Sequence, residues 1–560
     1  MTNIVGISRV HNSAVTLLKN GKIEFHIENE RFSNIKFDGF PFQSLSQIPQ
    51  YVKNIEYIGI AGVGKTVPAE SFIEQDVYST FIRHLDKSFF NSQQQIVDFW
   101  EEHHLMHAAC AFYNSGFSEA LCIIEDGMGS EFYISDDRFL PGSYGREKFS
   151  AFTATYPCNF ELVEKEVLVP FVCNTSLNDK IRIVDFISPA LAFQKTALHF
   201  GFHELDAGKV MGMASYGVED LNIPPIIIDG IINKDLFTVH SSDLRKVYLN
   251  TKNYPYLDTT DFQIQANFAR ALQLETQQYV KEKILRLIST TNQKNLCLSG
   301  GFFLNCVANY EYLKDLPTDI NIYIEPISSD AGTALGAAKY IWHSTTNDCT
   351  IRKQNSIYYG PTKSYSADEI KKIAKNNTIQ TVNYKSVAEL LSQKNIVAIF
   401  QGQSEAGPRA LGNRSILYDP RDPDGKDYVN RVKQREWFRP FAGSILLEDV
   451  NQWFDLRGLD SSPFMMFAVD VLDNKKNLIP SIIHVDGTCR IQTVDQKQNS
   501  HYYQLIQSFK ELTGIPILFN TSFNLAGDCI VETIEQAMDT LNNSEINFLY
   551  LPEFNLLIGK

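Results

Sequence analysis

At 560 residues, with 44% hydrophobic and 21% charged side chains, the chain has an ordinary globular composition and material for two or three domains. A formal net charge of -14 and a pI near 5.4 argue against a stand-alone binder of duplex nucleic acid. Nine cysteines without a CxxC pair indicate neither a zinc ribbon nor a disulfide framework, so reduced thiols in a cytoplasm are expected. The opening MTNIVGISRVHNSA lacks a secretory leader pattern, and no apolar run approaches the ~20 residues of a membrane span. A cytoplasmic protein without a membrane partner is the expectation.

The chain opens as a β-meander. Ile4–Ile7, Ala14–Leu18 and Ile23–Ile27 read as strands, with Asn20-Gly21 as the hairpin turn between the last two. Residues 93–114 read as helix from the spacing of Ile96, Phe99, Trp100, Leu105 and Met106. Leu121–Ile124 is a short buried strand ending in Glu125-Asp126-Gly127. Leu296–Leu298 is a strand running into Ser299-Gly300-Gly301 and then a helix from about Phe303 to Leu313. Ile320–Ile324 is another strand, and Asp330-Ala331-Gly332 opens a helix to about Ile341. Such strand–glycine-turn–helix units indicate an α/β domain with ligands at strand ends. The polar stretch His343–Ser356 is the best linker candidate, dividing the chain into residues 1–345 and 357–560. In the second part Ile396–Phe400 reads as a strand. Ile482–His484 and Ile515–Phe519 read as strands entering Val485-Asp486-Gly487 and Asn520-Thr521-Ser522.

Four patterns carry chemistry. His103 and His107 are i and i+4 on the predicted helix, so both imidazoles leave one face and can reach one ion, whereas His104 points about 100° away. Asp126 at a strand end and Asp330 before a helix are candidate carboxylate partners. Two imidazoles and two carboxylates suit iron, manganese or zinc; the alternative is a histidine cluster on an amphipathic helix surface. Ser299-Gly300-Gly301 can bring backbone close to a nucleotide, and Asp330–Ala337 has a similar form with Asn305 between them. Gly59–Thr66 matches GxxxxGK[ST], but Pro68 follows at once and no magnesium-binding Asp is placed as a P-loop requires, so it reads as a structural turn. His11, in the turn after the first strand, is a proton-transfer candidate if that turn faces a nucleotide cleft.

The fourth pattern is Gly407–Ala442, which holds eight basic residues: Arg409, Arg414, Arg421, Lys426, Arg431, Lys433, Arg435 and Arg439. Arg439 lies between Phe438 and Pro440, and Arg409 between Pro408 and Ala410. Cations in apolar company lose hydration and need an anion in return. Phosphate suits them, since Arg binds it bidentately and Lys adds a point charge. A solvated face with scattered ion pairs is the competing reading, because five acids share the window.

With these motifs in order, the chain resembles the O-carbamoyltransferases, the family of nodulation-factor, cephem and aminoglycoside carbamoylating enzymes. The resemblance rests on Glu30–Ser33, His103–Ala109, Asp126-Gly127, Gly208–Gly217, Ser299–Asn309, Asp330–Ala338, Gly407–Leu417, Arg435–Phe441, His484–Thr493 and Phe519–Asn524. It implies an α/β protein with a duplicated actin/hexokinase-like ATPase domain at residues 1–345 and a YrdC-like α/β domain at residues 357–560. The second domain would make carbamoyl adenylate from carbamoyl phosphate and ATP (with Mg2+), and the first would pass the carbamoyl group to a hydroxyl. By the same resemblance His103, His107, Asp126 and Asp330 ligate a divalent metal, Fe2+ ahead of Mn2+ or Zn2+, and His11 is catalytic. Arg409, Lys433, Arg439, Arg490, Asn520 and Ser522 line the carbamoyl-phosphate and ATP pocket. Ser299, Gly300, Gly301, Asn305 and Lys209 complete the binding residues. The implied partners are carbamoyl phosphate, ATP and a hydroxylated small molecule or nucleotide, with a homodimer left open. Two rivals remain at this point: an actin-like ATPase or kinase with a phosphate-sensing tail, and an enzyme of the threonylcarbamoyl-tRNA type.

Overall fold

A computed structural model describes residues 2–64, 77–85, 95–136, 138–139, 143–170, 174–239 and 246–560. The chain forms two units: Met1–Asn29 with Phe37–Gln354, and Glu30–Lys36 with Asn355–Lys560. The boundary therefore lies after Gln354, and a short segment near the N-terminus belongs to the second unit. Of the expected linker, His343–Thr346 is helical, with the His343 ring stacked on Tyr113 at 4.2 Å.

The first unit is built on one topology used twice. Strands β1 (Asn3–Ser8), β2 (Ala14–Lys19), β3 (Lys22–Glu28), β4 (Tyr57–Ala61) and β5 (Gln95–Phe99) form a sheet in the order β3-β2-β1-β4-β5. β1, β2 and β3 pair antiparallel, whereas β4 and β5 add in parallel. Helix α1 (His103–Ser115) leads into the second sheet. Its strands β6 (Glu119–Glu125), β7 (Tyr144–Thr155), β8 (Asn159–Leu168), β9 (Asn295–Ser299) and β10 (Asn321–Ile324) run in the order β8-β7-β6-β9-β10. The antiparallel meander and the two parallel additions recur. This is the duplicated actin/hexokinase-like arrangement. Shorter strands extend the second sheet, and helices α2 (Phe262–Thr291) and α3 (Cys306–Asp315) flank β9 in sequence. The Asn20-Gly21 turn has both residues at positive φ, as a tight two-residue hairpin requires.

Between the sheets lie α1 and α4 (Ala331–Thr346), packed on each other. α4 touches β1, β2 and β4, while α1 touches β6, β7 and β9. The helices approach closely because small residues face each other. A Cβ on Gly336 would stand 1.9 Å from the Met106 carbonyl oxygen of α1, while one on Gly332 would stand 2.1 Å from the carbonyl oxygen of Ile327 in the turn before α4. On the other side of α4, a Cβ on Gly6 of β1 would meet the Ala334 carbonyl at 1.9 Å. The glycines of the Asp330–Ala337 segment thus serve backbone packing.

The second unit holds a ten-stranded mixed sheet. Its centre is β11 (Val397–Phe400), β12 (Arg414–Tyr418), β13 (Ala442–Leu446), β14 (Thr488–Val494) and β15 (Ile517–Ser522), in the order β11-β12-β15-β13-β14. Helix α5 (Gly425–Val432) precedes Lys433. Arg31, from the N-terminal segment, is buried in this unit and donates to the carbonyls of Glu405 (3.2 Å) and Gly407 (3.1 Å).

Three sequence expectations are corrected. Residues 95–99 are strand β5, because pairing with β4 satisfies the backbone of a segment rich in β-branched residues, and the helix begins at His103. Ile482–His484 is not a strand: a 3-10 turn at Pro480–Ile482 precedes the ladder, which starts at Thr488. Asn520-Thr521-Ser522 lie inside β15, not in a loop after it. Of the GxxxxGK[ST] match, Gly59–Ala61 lie within β4, and Lys65 and Thr66 fall outside the described residues. Among the described residues no helix is long and apolar enough to cross a membrane.

The packing generates a stability test. Gly336→Val forces its side chain into the α1 backbone and should cost about 1–3 kcal/mol, lowering the unfolding temperature. Gly39→Ala, where a Cβ meets nothing within 4 Å, should leave it nearly unchanged. Equal melting curves for the two variants would contradict the close helix contact.

Candidate active sites

In the first unit the elements deliver four ligand-type side chains to one point. His103 and His107 leave the first turns of α1, Asp126 follows β6, and Asp330 immediately precedes α4. Their ligating atoms all lie within 4.8 Å of one another. The Nε2 atoms of the two histidines are 3.2 Å apart. His103 Nε2 lies 3.6 Å from both Asp126 and Asp330, and His107 Nε2 lies 3.7 Å from Asp330. All four are buried, the histidines completely.

The neighbours fix this geometry. The Ser130 hydroxyl accepts the His103 backbone N–H at 2.9 Å. Ser299 Oγ lies 3.4 Å from His107 Nδ1, and the Gly301 N–H donates to Asp126 Oδ1 at 3.1 Å. Gly300, at φ 100°, lets β9 end against β6; a Cβ there would stand 2.5 Å from the Glu125 carbonyl oxygen. Ser299-Gly300-Gly301, read from sequence as a nucleotide approach, is thus engaged in holding His107 and Asp126.

The electrostatics call for a cation. Burial disfavours charge on His103, but Asp330 and Asp126 outweigh it and raise its pKa to about 10. Burial would raise the carboxyls; the His103 and His107 contacts instead hold Asp330 far below its usual range and Asp126 at about 2. Two ionised carboxylates against buried imidazoles are the donor set of a divalent ion, and a histidine oriented through its second nitrogen is the usual support. The four residues fit such an ion. His104 is different: its Nδ1 meets Ser150 Oγ at 2.9 Å and burial lowers its pKa to about 4, so it is a neutral core histidine. His11, exposed after β1, is close enough for its charge to act on Asp330. Asn305 caps α3 and bonds Gln273, and Lys209 pairs with Asp206 at 3.0 Å.

In the second unit the sheet places a row of residues side by side. Asn520 of β15 is opposite Ala442 of β13, which is opposite Arg490 of β14. Asn520 donates to Ala410 O, Ser444 Oγ and Gln492 Oε1 at 3.2, 2.9 and 3.3 Å, and its buried Oδ1 has no hydrogen-bond partner among the described residues. Lys433, at the end of α5, is buried and reaches Ser522 O, Asn524 O (2.7 Å) and Asn524 Oδ1 (3.0 Å). Burial, then Arg435, Arg439 and Lys36, push its pKa well below the usual lysine range. Arg439 pairs with Glu436 at 3.3 Å. Arg409 lies half-buried in the loop before Ala410, whose carbonyl Asn520 binds.

The structure also sorts the basic block. Arg414 is spent on the carbonyls of Gln401, Asn413 and Gly402, Arg421 on Asp419, and exposed Arg431 on Glu545. Arg435 and Lys36, absent from the sequence-derived site, stand with Lys433. Arg435 was visible in the basic run. Lys36 lies so far from it in sequence that no local signal marked it.

Two family models match the chain: Carbamoyltransferase N-terminus over residues 60–339 and Carbamoyltransferase C-terminus over residues 388–557. An uncharacterised protein of Synechocystis is 30% identical over 99% of this chain and 97% of its own length. The nodulation protein NolO of Bradyrhizobium diazoefficiens is 31% identical over 81% of this chain and 78% of its own. Nodulation protein NolNO of Sinorhizobium fredii is 29% identical over 97% and 78%. Among solved structures, HypF of T. kodakarensis aligns with a TM-score of 0.35 at 12% identity, over 62% of this chain and 48% of that one. With both halves matched and a full-length relative at this identity, the chain belongs to the carbamoyltransferase family and is a transferase.

Proposed function

We propose that the protein is an ATP-dependent O-carbamoyltransferase working in two stages. The second unit, YrdC-like in this reading, activates the carbamoyl group; the first transfers it to a hydroxyl of a small molecule or nucleotide. The observation that carries the first stage is the gathering of Lys433, Arg435, Arg439 and Arg490 around the β13–β14–β15 row, with Glu436 and Asp528 as acids acting on them. Such a site is matched by phosphate groups.

Carbamoyl phosphate and water give carbamate and phosphate. A carbamate oxygen attacks the α-phosphorus of ATP, and pyrophosphate leaves. Carbamate is a poor electrophile, and the mixed anhydride with AMP supplies the leaving group it lacks. In the first unit the acceptor oxygen attacks the carbamoyl carbon, its proton passes to His11, and AMP departs. His103, His107, Asp126 and Asp330 would hold a divalent ion, Fe2+ in this reading, which supplies Lewis-acid polarisation when bound. Ser299 and the Gly301 N–H keep His107 and Asp126 oriented throughout.

His103→Ala or His107→Ala should remove bound metal, measured by elemental analysis, and abolish carbamoyl transfer while carbamoyl-phosphate-dependent consumption of ATP continues. Unchanged metal content with ATP consumption lost would refute the assignment. Lys433→Ala should cut kcat/KM for carbamoyl phosphate about ten-fold or more, as expected for a charge-assisted contact worth about 1.5–3 kcal/mol. Transfer from supplied carbamoyl adenylate should persist. An unaltered response to carbamoyl phosphate in a folded variant would count against the pocket.

A further inference from the structure

The two histidines of the first unit are not held alike. His107 has Ser299 Oγ at its Nδ1, 3.4 Å away. His103 Nδ1 is shut off from solvent and has no hydrogen-bond partner among the described residues. The usual support of a metal-bound imidazole is a partner on its second nitrogen. That support is missing from the histidine that lies against both Asp126 and Asp330. Its aim has to be set through the backbone at the start of α1, where a helix leaves its first N–H groups without partners of its own. Glu102, the residue before the helix, supplies no side-chain cap. Glu147 of β7 does so from a distance in sequence. Its Oε2 accepts the His104 N–H at 3.3 Å and the Ser130 N–H at 3.1 Å, and Ser130 Oγ accepts the His103 N–H at 2.9 Å. The Glu147 backbone grips the same loop, accepting the Gly129 N–H at 2.7 Å and donating to the Ser130 carbonyl at 3.0 Å.

Glu147 thus ties the start of α1, which carries His103, to the loop after β6, which carries Asp126. It is buried, and Lys165 donates to its Oε1. Burial would raise its pKa, but Lys165 chiefly outweighs it and holds the carboxyl at about 2. One carboxylate oxygen is therefore occupied by Lys165, and the other is given to the two segments that bear metal ligands. An anion at this place also offsets the positive end of the α1 dipole, beside which a divalent ion has to be bound. We infer that Glu147 is a positioning residue of the metal site: acting through Ser130 and the first turn of α1, it supplies the orientation that His103 lacks at its own ring. This rests on the proposed metal site and adds to it a residue that contributes no ligand atom.

The test uses full-length, metal-stripped wild type, Glu147→Gln, Ser130→Ala and the double variant. Co2+ titrations are followed by visible absorption, and thermal unfolding is measured without metal. Glu147→Gln keeps the shape of the side chain and removes its charge. It should weaken Co2+ binding about ten-fold or more and shift the absorption band. Ser130→Ala should act in the same direction, and the double variant should lose less than the two losses combined, because both residues belong to one chain of contacts. A lower unfolding temperature with Co2+ affinity and spectrum unchanged would make Glu147 structural and overturn the inference. If Glu147→Gln does not fold, unaltered Co2+ binding by Ser130→Ala overturns it equally. A wild type that binds no Co2+ would refute the metal site itself, an outcome distinct from failure at Glu147 alone.

Discussion

The close contact between α1 and α4 decides what the first unit can be. Gly336 lets the two helix backbones approach at a distance no side chain would permit, Gly332 lets the turn at Ile327 fold back onto the start of α4, and Gly6 allows the same closeness where α4 meets β1. That approach brings the first turns of α1 against the start of α4, so His103 and His107 face Asp330. The second close approach, at Gly300 between β9 and β6, brings Asp126 and Ser299 to the same point. Substituting a packing glycine therefore reaches the ligand set through the backbone, before any ligand is changed.

Opposite electrostatic problems stand in the two units. In the first, carboxylates and imidazoles are arranged so that a cation satisfies them, and Asp330 and Asp126 hold the His103 pKa up against its burial. In the second, basic side chains converge with few acids, and burial pushes Lys433 and Arg435 toward their neutral forms. Each arrangement is costly alone and relieved by a ligand of the complementary sign. Family membership says that a carbamoyl group is transferred; these two charge patterns are the physical ground for dividing the proposed reaction into anion activation and metal-assisted transfer.

Much of this was legible in the sequence where local rules decide. The Asn20-Gly21 hairpin, the strand before Ser299 and the helix from Asp330 follow from turn chemistry and periodicity. The i, i+4 histidines also needed only a helix. What failed required a distant partner. The spacing of Ile96, Phe99 and Trp100 is compatible with a helix until β4 supplies a ladder. The purpose of Gly336 is invisible without the Met106 carbonyl. Eight basic residues in one window look alike until Arg414 is seen bound to carbonyls and Arg421 to Asp419, leaving Arg435 among its own kind. Glu30–Lys36 clusters with residues more than three hundred positions away, and no composition shift announces it.

The central claim is that the carbamoyl group is activated at the α-phosphorus of ATP. The most direct measurement is 31P NMR of a complete reaction with the full-length protein, ATP, carbamoyl phosphate and a hydroxylated acceptor. The account predicts AMP, pyrophosphate and inorganic phosphate in equal amounts, and none without carbamoyl phosphate. ADP in place of AMP, or carbamoyl transfer with ATP left intact, would contradict it.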